Sequence, residues 1–101
     1  MTTPTLVDPD TGTEEDTRTS PFWRVLLHND DVTTFDFVIE LLRTLFFKDA
    51  DEAVRLTNEV HERGIAIVAR THRERAELYV DQVRSLARPR GFPLRATIEP
   101  E

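Results

Sequence analysis

The chain is 101 residues long, one domain's worth, with 39% hydrophobic residues, no cysteine and a formal net charge of -6. Without cysteine neither a disulfide framework nor a thiolate metal site can form, which fits a reducing compartment, and a cytoplasmic location is expected. Five acids against Arg18 alone in the first 20 residues supply four of the net negative charges; the remainder, 14 acids against 12 bases, offers no basic surface for nucleic acid.

Residues 1–20 are rich in Thr, Asp, Glu and Pro, and cannot bury enough apolar surface to offset the entropy of ordering. A disordered acidic extension is therefore expected there, followed by one domain over 21–101. Its acids (Asp8, Asp10, Glu14, Glu15, Asp16) argue against a signal or transit peptide. No run approaches the ~20 apolar residues that span a bilayer, so no membrane association is expected.

From Phe22 to His28, Trp23, Val25 and Leu27 alternate with Arg24 and His28, the period of a strand with one buried face. The polar heptad His28 to Thr34 follows. Thr33 with Asp36 reads as an acidic capping box opening a first helix, whose apolar stripe is Phe35, Val38, Leu42, Leu45 and Phe46. Asp49 with Glu52 opens a second helix with core face Ala53, Leu56 and Val60, running to about Arg63 and ending at Gly64 as a left-handed cap. Ile65 to Ala69 reads as a second strand. Thr71 with Glu74 forms a capping box for a third helix with apolar face Ala76, Tyr79, Val80, Val83 and Ala87, ended by Pro89 and Gly91. Leu94, Ala96 and Ile98 then alternate with Arg95, Thr97 and Glu99 as a third strand. The order strand-helix-helix-strand-helix-strand predicts an α/β (α+β) domain, a three-stranded sheet with three helices packed on one side.

Two features carry chemistry. Asn29, Asp30 and Asp31 place acceptor oxygens at three consecutive positions between a strand end and a helix start, which suits a cation or a donor-rich group. Taken alone, the same residues are ordinary turn chemistry. On the second helix, His61 shares a face with Thr57 and Val54, next to the core stripe.

The stretches Trp23 to Thr33, Phe37-Val38-Ile39, Val60-His61-Glu62-Arg63-Gly64 and Phe92-Pro93-Leu94 together resemble the ClpS family, adaptors that carry N-degron substrates to Clp AAA+ proteases. The similarity is collinear over roughly residues 22 to 99. It implies a three-stranded antiparallel sheet on three helices, no catalytic residue, no cofactor and no metal. It further implies that Asn29 and His61 hydrogen-bond the free α-amino group of a polypeptide, that Asp30 assists through water, and that Asp31 and Thr33 support them. Phe35, Val38, Thr57 and Leu94 would line the cavity for an N-terminal Phe, Tyr, Trp or Leu. The implied partners are such polypeptides and the N-terminal domain of a Clp ATPase of the ClpA or ClpC type, with the adaptor itself monomeric. Glu74 matches an acid used for docking to that ATPase, and Tyr79 falls where many members carry Lys. Phe35 and Thr57 stand where the family commonly has Met, so the pocket is expected to be reshaped.

Two other readings compete. A metal-dependent hydrolase would use His28, Asp30, Asp31 and His61 as ligands. Against it, His28 and Asn29 point to opposite faces if the first strand continues through them. Nucleophilic catalysis has no candidate, since the serines are Ser20 in the extension and Ser85 on the third helix. A structural interaction module of the same fold type would leave Asn29, Asp30 and His61 without a role.

Overall fold

The computed structural model describes residues 21–101; the expected disordered extension, residues 1–20, lies outside the described residues. Strand β1 (Trp23–His28) is central in the sheet, antiparallel to β2 (Ile65–Thr71) on one side and to β3 (Arg95–Pro100) on the other. The sheet order is β2-β1-β3. Val25 and Leu27 are wholly buried against the helices, as the alternation requires. Leu26, on the other face, is also shielded, between its cross-strand neighbours Ile67 and Thr97. The register of β1 with β2 shifts between Val25 and Leu26, a bulge that adds to the twist of the edge strand.

Helix α1 (Phe35–Thr44) begins one residue later than the sequence pattern suggests. Thr34, not Thr33, is the N-cap, and its hydroxyl accepts the Phe37 N–H at 3.2 Å. The Thr33 hydroxyl is engaged elsewhere, donating to Asp30 Oδ2 at 2.7 Å. Phe37, Val38, Leu41, Leu42 and Phe46 are buried, whereas Phe35 is 44% exposed and leaves the expected core stripe.

Helix α2 (Ala50–Arg63) is capped as expected. Asp49 accepts the Glu52 N–H at 2.8 Å, and Gly64 closes the other end at φ 85°, a left-handed conformation that favours glycine. Helix α3 (Arg73–Ala87) corrects the third cap. Thr71 is the last residue of β2, paired with Trp23, so His72 becomes the N-cap and makes no side-chain capping bond. Its ring turns instead to Phe22 and the Pro21 carbonyl. A 3-10 turn over Arg88–Arg90 then leads to β3.

The core lies between the sheet and the helices, with Leu27, Leu42, Val68, Val83, Ala53 and Leu94 at its centre. Full burial of each large aliphatic side chain contributes roughly 1.5–3 kcal/mol. The fold and its element order agree with the sequence reading. Among the described residues no helix is long and apolar enough to cross a membrane.

Candidate functional site

The end of β1 and the end of α2 are joined by the main chain. The Asn29 N–H donates to the Gly64 carbonyl at 2.9 Å, so the loop after β1 is fixed to the cap of the helix that carries His61. This bond brings together two polar elements that are far apart in sequence. Between them lies a cavity of about 220 Å³. An apolar cavity of about 150 Å³ admits a benzene ring, so this one has room for an aromatic side chain.

The floor comes from three elements: Val38 on α1, Thr57 and Val60 on α2, and Leu94 before β3, all buried. The mouth is polar. His28, Asn29, Asp30, Asp31 and Thr33 line one wall and His61 the other, with Phe35 at the rim. All nine residues assigned to the pocket from the sequence are thus at one cavity. Sequence reasoning missed the contribution of Val60, although its spacing of three from Thr57 puts those two on the same helical face. It also missed His28 as a wall residue. The reason is a false premise: β1 ends at His28, so the alternation does not extend to Asn29 and both residues border the cavity.

Asp30 is held by its own loop. Its Oδ1 accepts the N–H groups of Val32 at 2.8 Å and Thr33 at 2.7 Å, and Oδ2 accepts the Thr33 hydroxyl. Partial burial pushes its proton affinity up. The bonds from Thr33 and Val32, with Arg88 nearby, outweigh that and hold the carboxyl below its ordinary range. A fixed negative charge therefore stands at the mouth. His28 donates to or accepts from the Thr97 hydroxyl through Nε2 at 2.6 Å. Burial, and then the Arg95 guanidinium, lower its proton affinity, which favours the neutral ring.

By contrast, the side chains of Asn29 and His61 make no hydrogen bond among the described residues. The His61 ring is positioned instead by Phe35, edge-on at 5.0 Å between centroids and 71° between planes. Thr57 is 3% exposed and donates its hydroxyl to the Ala53 carbonyl at 2.7 Å, which leaves its oxygen available only as an acceptor. Leu94 is held by Arg88, whose Nη1 donates to the carbonyls of Phe92 at 3.0 Å and Leu94 at 2.8 Å.

The four residues of the hydrolase reading border the same cavity, but among the described residues no three of His, Cys, Asp and Glu are arranged to hold a metal ion. Glu74 and Tyr79 are not brought together. Five residues apart, they stand about 140° from each other around α3. Glu74 is exposed, while Tyr79 is half-buried with its ring 4.6 Å from that of Phe46.

The family model described as "ATP-dependent Clp protease adaptor protein ClpS" matches residues 18–97. The ATP-dependent Clp protease adapter protein ClpS of Nautilia profundicola is 46% identical over 77 residues, covering 76% of this chain and 79% of the relative. That of Acetivibrio thermocellus is 38% identical over 101 residues, the whole of both chains. Among solved structures, Agrobacterium tumefaciens ClpS2 bound to L-phenylalaninamide superposes with a TM-score of 0.77 at 34% identity, covering 80% of this chain and 98% of that one.

Proposed function

The chain belongs to the ClpS family of Clp protease adaptors, which are not enzymes, and from that premise we propose that it captures polypeptides by a free, bulky N-terminal residue. In this reading Asn29 and His61 accept hydrogen bonds from the α-ammonium, and the Asp30 carboxylate balances its charge, with Asp31 and Thr33 supporting the loop. The side chain of the first residue enters the cavity lined by Phe35, Val38, Thr57 and Leu94. The captured polypeptide then passes to a Clp ATPase of the ClpA or ClpC type, docked on the exposed side of α3 around Glu74.

One observation carries the proposal. Two uncommitted polar side chains, Asn29 and His61, flank the mouth of a cavity with an apolar floor, beside a carboxylate kept anionic. An α-ammonium offers three donors and a charge at a chain end, which no internal residue reproduces. Phenylalaninamide, the ligand of the Agrobacterium relative, presents the same pair of features, a free α-amine and a benzyl group. Phe35 at the rim leaves little width for a side chain branched at Cβ, so Val and Ile fit poorly. The Thr57 lone pairs offer an acceptor to a Tyr O–H or Trp N–H buried on the floor.

The test is a titration with labelled peptides that differ only in the first residue, each with its α-amine free or acetylated. Binding of the free Phe, Tyr, Trp and Leu peptides is expected, with loss on acetylation. His61→Ala should weaken binding, because the ring supplies one of the acceptors for the ammonium. Equal binding of free and acetylated peptides would sink the reading.

A further inference from the structure

We propose that Arg88 is a positioning residue for the cavity floor: it holds the segment that carries Leu94, and so makes the pocket select first residues by how deep they reach. The inference rests on the reading of the cavity as an N-terminal residue pocket.

Val38, Thr57 and Val60 reach the floor from α1 and α2, where the helical main-chain bonds hold them. Leu94 reaches it from the short stretch between the 3-10 turn and β3, which begins only at Arg95. The turn is closed by the Gly91 N–H on the Arg88 carbonyl at 2.9 Å and the Phe92 N–H on the Ala87 carbonyl at 3.1 Å. Pro93 then has no N–H to give. Two carbonyls of this stretch instead accept from one atom, Arg88 Nη1, at 3.0 Å for Phe92 and 2.8 Å for Leu94. One guanidinium nitrogen thus bridges the residue before Pro93 and the residue after it.

Nothing else among the described residues occupies that guanidinium. Arg24, Arg55, Arg70, Arg73 and Arg84 each pair with a carboxylate, whereas Arg88 gives its hydrogen bonds to the main chain. Bonds from a charged donor are shorter and stronger than neutral ones, which suits a clasp on backbone. Arg88 also stands close enough to Asp30 for its charge to help keep that carboxyl ionised. The two effects differ in what they act on. A charge acts on the α-ammonium whatever side chain accompanies it, so it changes the affinity of every first residue alike. A clasp on Leu94 acts on the side chain. The ring of Phe extends further from its Cα than the branched end of Leu, so it leans more on the floor.

The test uses the full chain and two peptides that begin with Phe or Leu and are otherwise identical. Arg88→Met keeps an unbranched stem and removes the donors; the ratio of Phe to Leu affinity should fall about fourfold, the worth of burying one methylene. Arg88→Lys, which keeps a charged donor, should restore most of the ratio. In the unliganded protein the Leu94 methyl resonances should shift in Arg88→Met and shift less in Arg88→Lys. Thermal melts accompany the titrations, and should Arg88→Met not fold, Arg88→Gln, with a shorter neutral side chain, carries the same comparison. A ratio unchanged in the folded variant would overturn the positioning role. So would an equal change in both affinities, which would leave Arg88 a charge acting on the mouth. If neither peptide binds the unaltered protein, the pocket reading falls and selection by the floor with it, while the Leu94 resonances still report whether Arg88 holds the segment.

Discussion

Asp30 and His28 show how single side chains make the pocket sensitive to pH. Asp30 is held below its ordinary value of 3.8, so the native state favours its charged form. Its contribution is complete above the unfolded carboxylate range and is lost as the pH falls through the lower native value. His28 is held below 6.5, so the unfolded chain takes up that proton first. Between the unfolded and the native value, stability therefore also falls as the pH drops. Both slopes have the same sign and occupy different windows. Urea unfolding at stepped pH should show the upper window flattened in His28→Gln and the lower one flattened in Asp30→Asn. An unaltered slope just below pH 6.5 in His28→Gln would show that the ring does not contribute. The residue types of this site were legible because they cluster in sequence, but the Thr33 bond to Asp30 was not. Thr33 has an acid three residues on and Thr34 does not, yet the Asp30 carboxylate takes the Thr33 hydroxyl and the cap falls to Thr34.

Elements were legible where periodicity and caps agree, as in α2, and less so where a tertiary contact takes over a local signal. Thr71 and Glu74 have the spacing of a capping box, yet strand pairing to Trp23 takes Thr71 into β2. Phe35 fits the apolar stripe of α1, yet its ring serves the pocket rim against His61. The turn between α1 and α2 gave no sequence signal at all. Phe47 there adopts φ 59° and is 80% exposed, while the Lys48 N–H bonds the Leu42 carbonyl at 2.9 Å and so ties the turn back to the end of α1. Glycine or asparagine is the usual residue at such a position, since a Cβ with a large ring is strained in the left-handed region. Phe47→Asn should therefore stabilise the domain by roughly 0.5–1 kcal/mol, a rise in Tm of a few degrees for a domain of this size. A lower Tm in a thermal melt would mean that the exposed ring makes a net contribution greater than the strain.

At the scale of the whole molecule, the strand-helix-helix-strand-helix-strand order was readable, and the antiparallel pairing of His28 with Ile65 then brings the Asn29 loop against the Gly64 cap. The same order puts the pocket and the point where the extension joins at opposite ends of one strand. The extension meets the domain at Pro21, at the Trp23 end of β1, and the pocket opens at the His28 end. A six-residue strand separates them by about 17 Å. The joining point is also held by contacts within the domain. The Arg70 guanidinium lies 4.3 Å over the Phe22 ring, His72 stacks on it at 5.4 Å, and the Glu101 N–H donates to the Phe22 carbonyl at 3.0 Å. Removing residues 1–20 should therefore leave both the fold and the affinity for N-terminal Phe peptides unchanged. The resemblance implies that the extension serves substrate hand-over, so on the proposed adaptor reading the same truncation should slow degradation by a Clp protease. Peptide titration and degradation assays on the two forms separate these effects. Equal degradation rates would remove any role for the extension in delivery, whereas a loss of peptide affinity would mean that it reaches the pocket from the far end of β1.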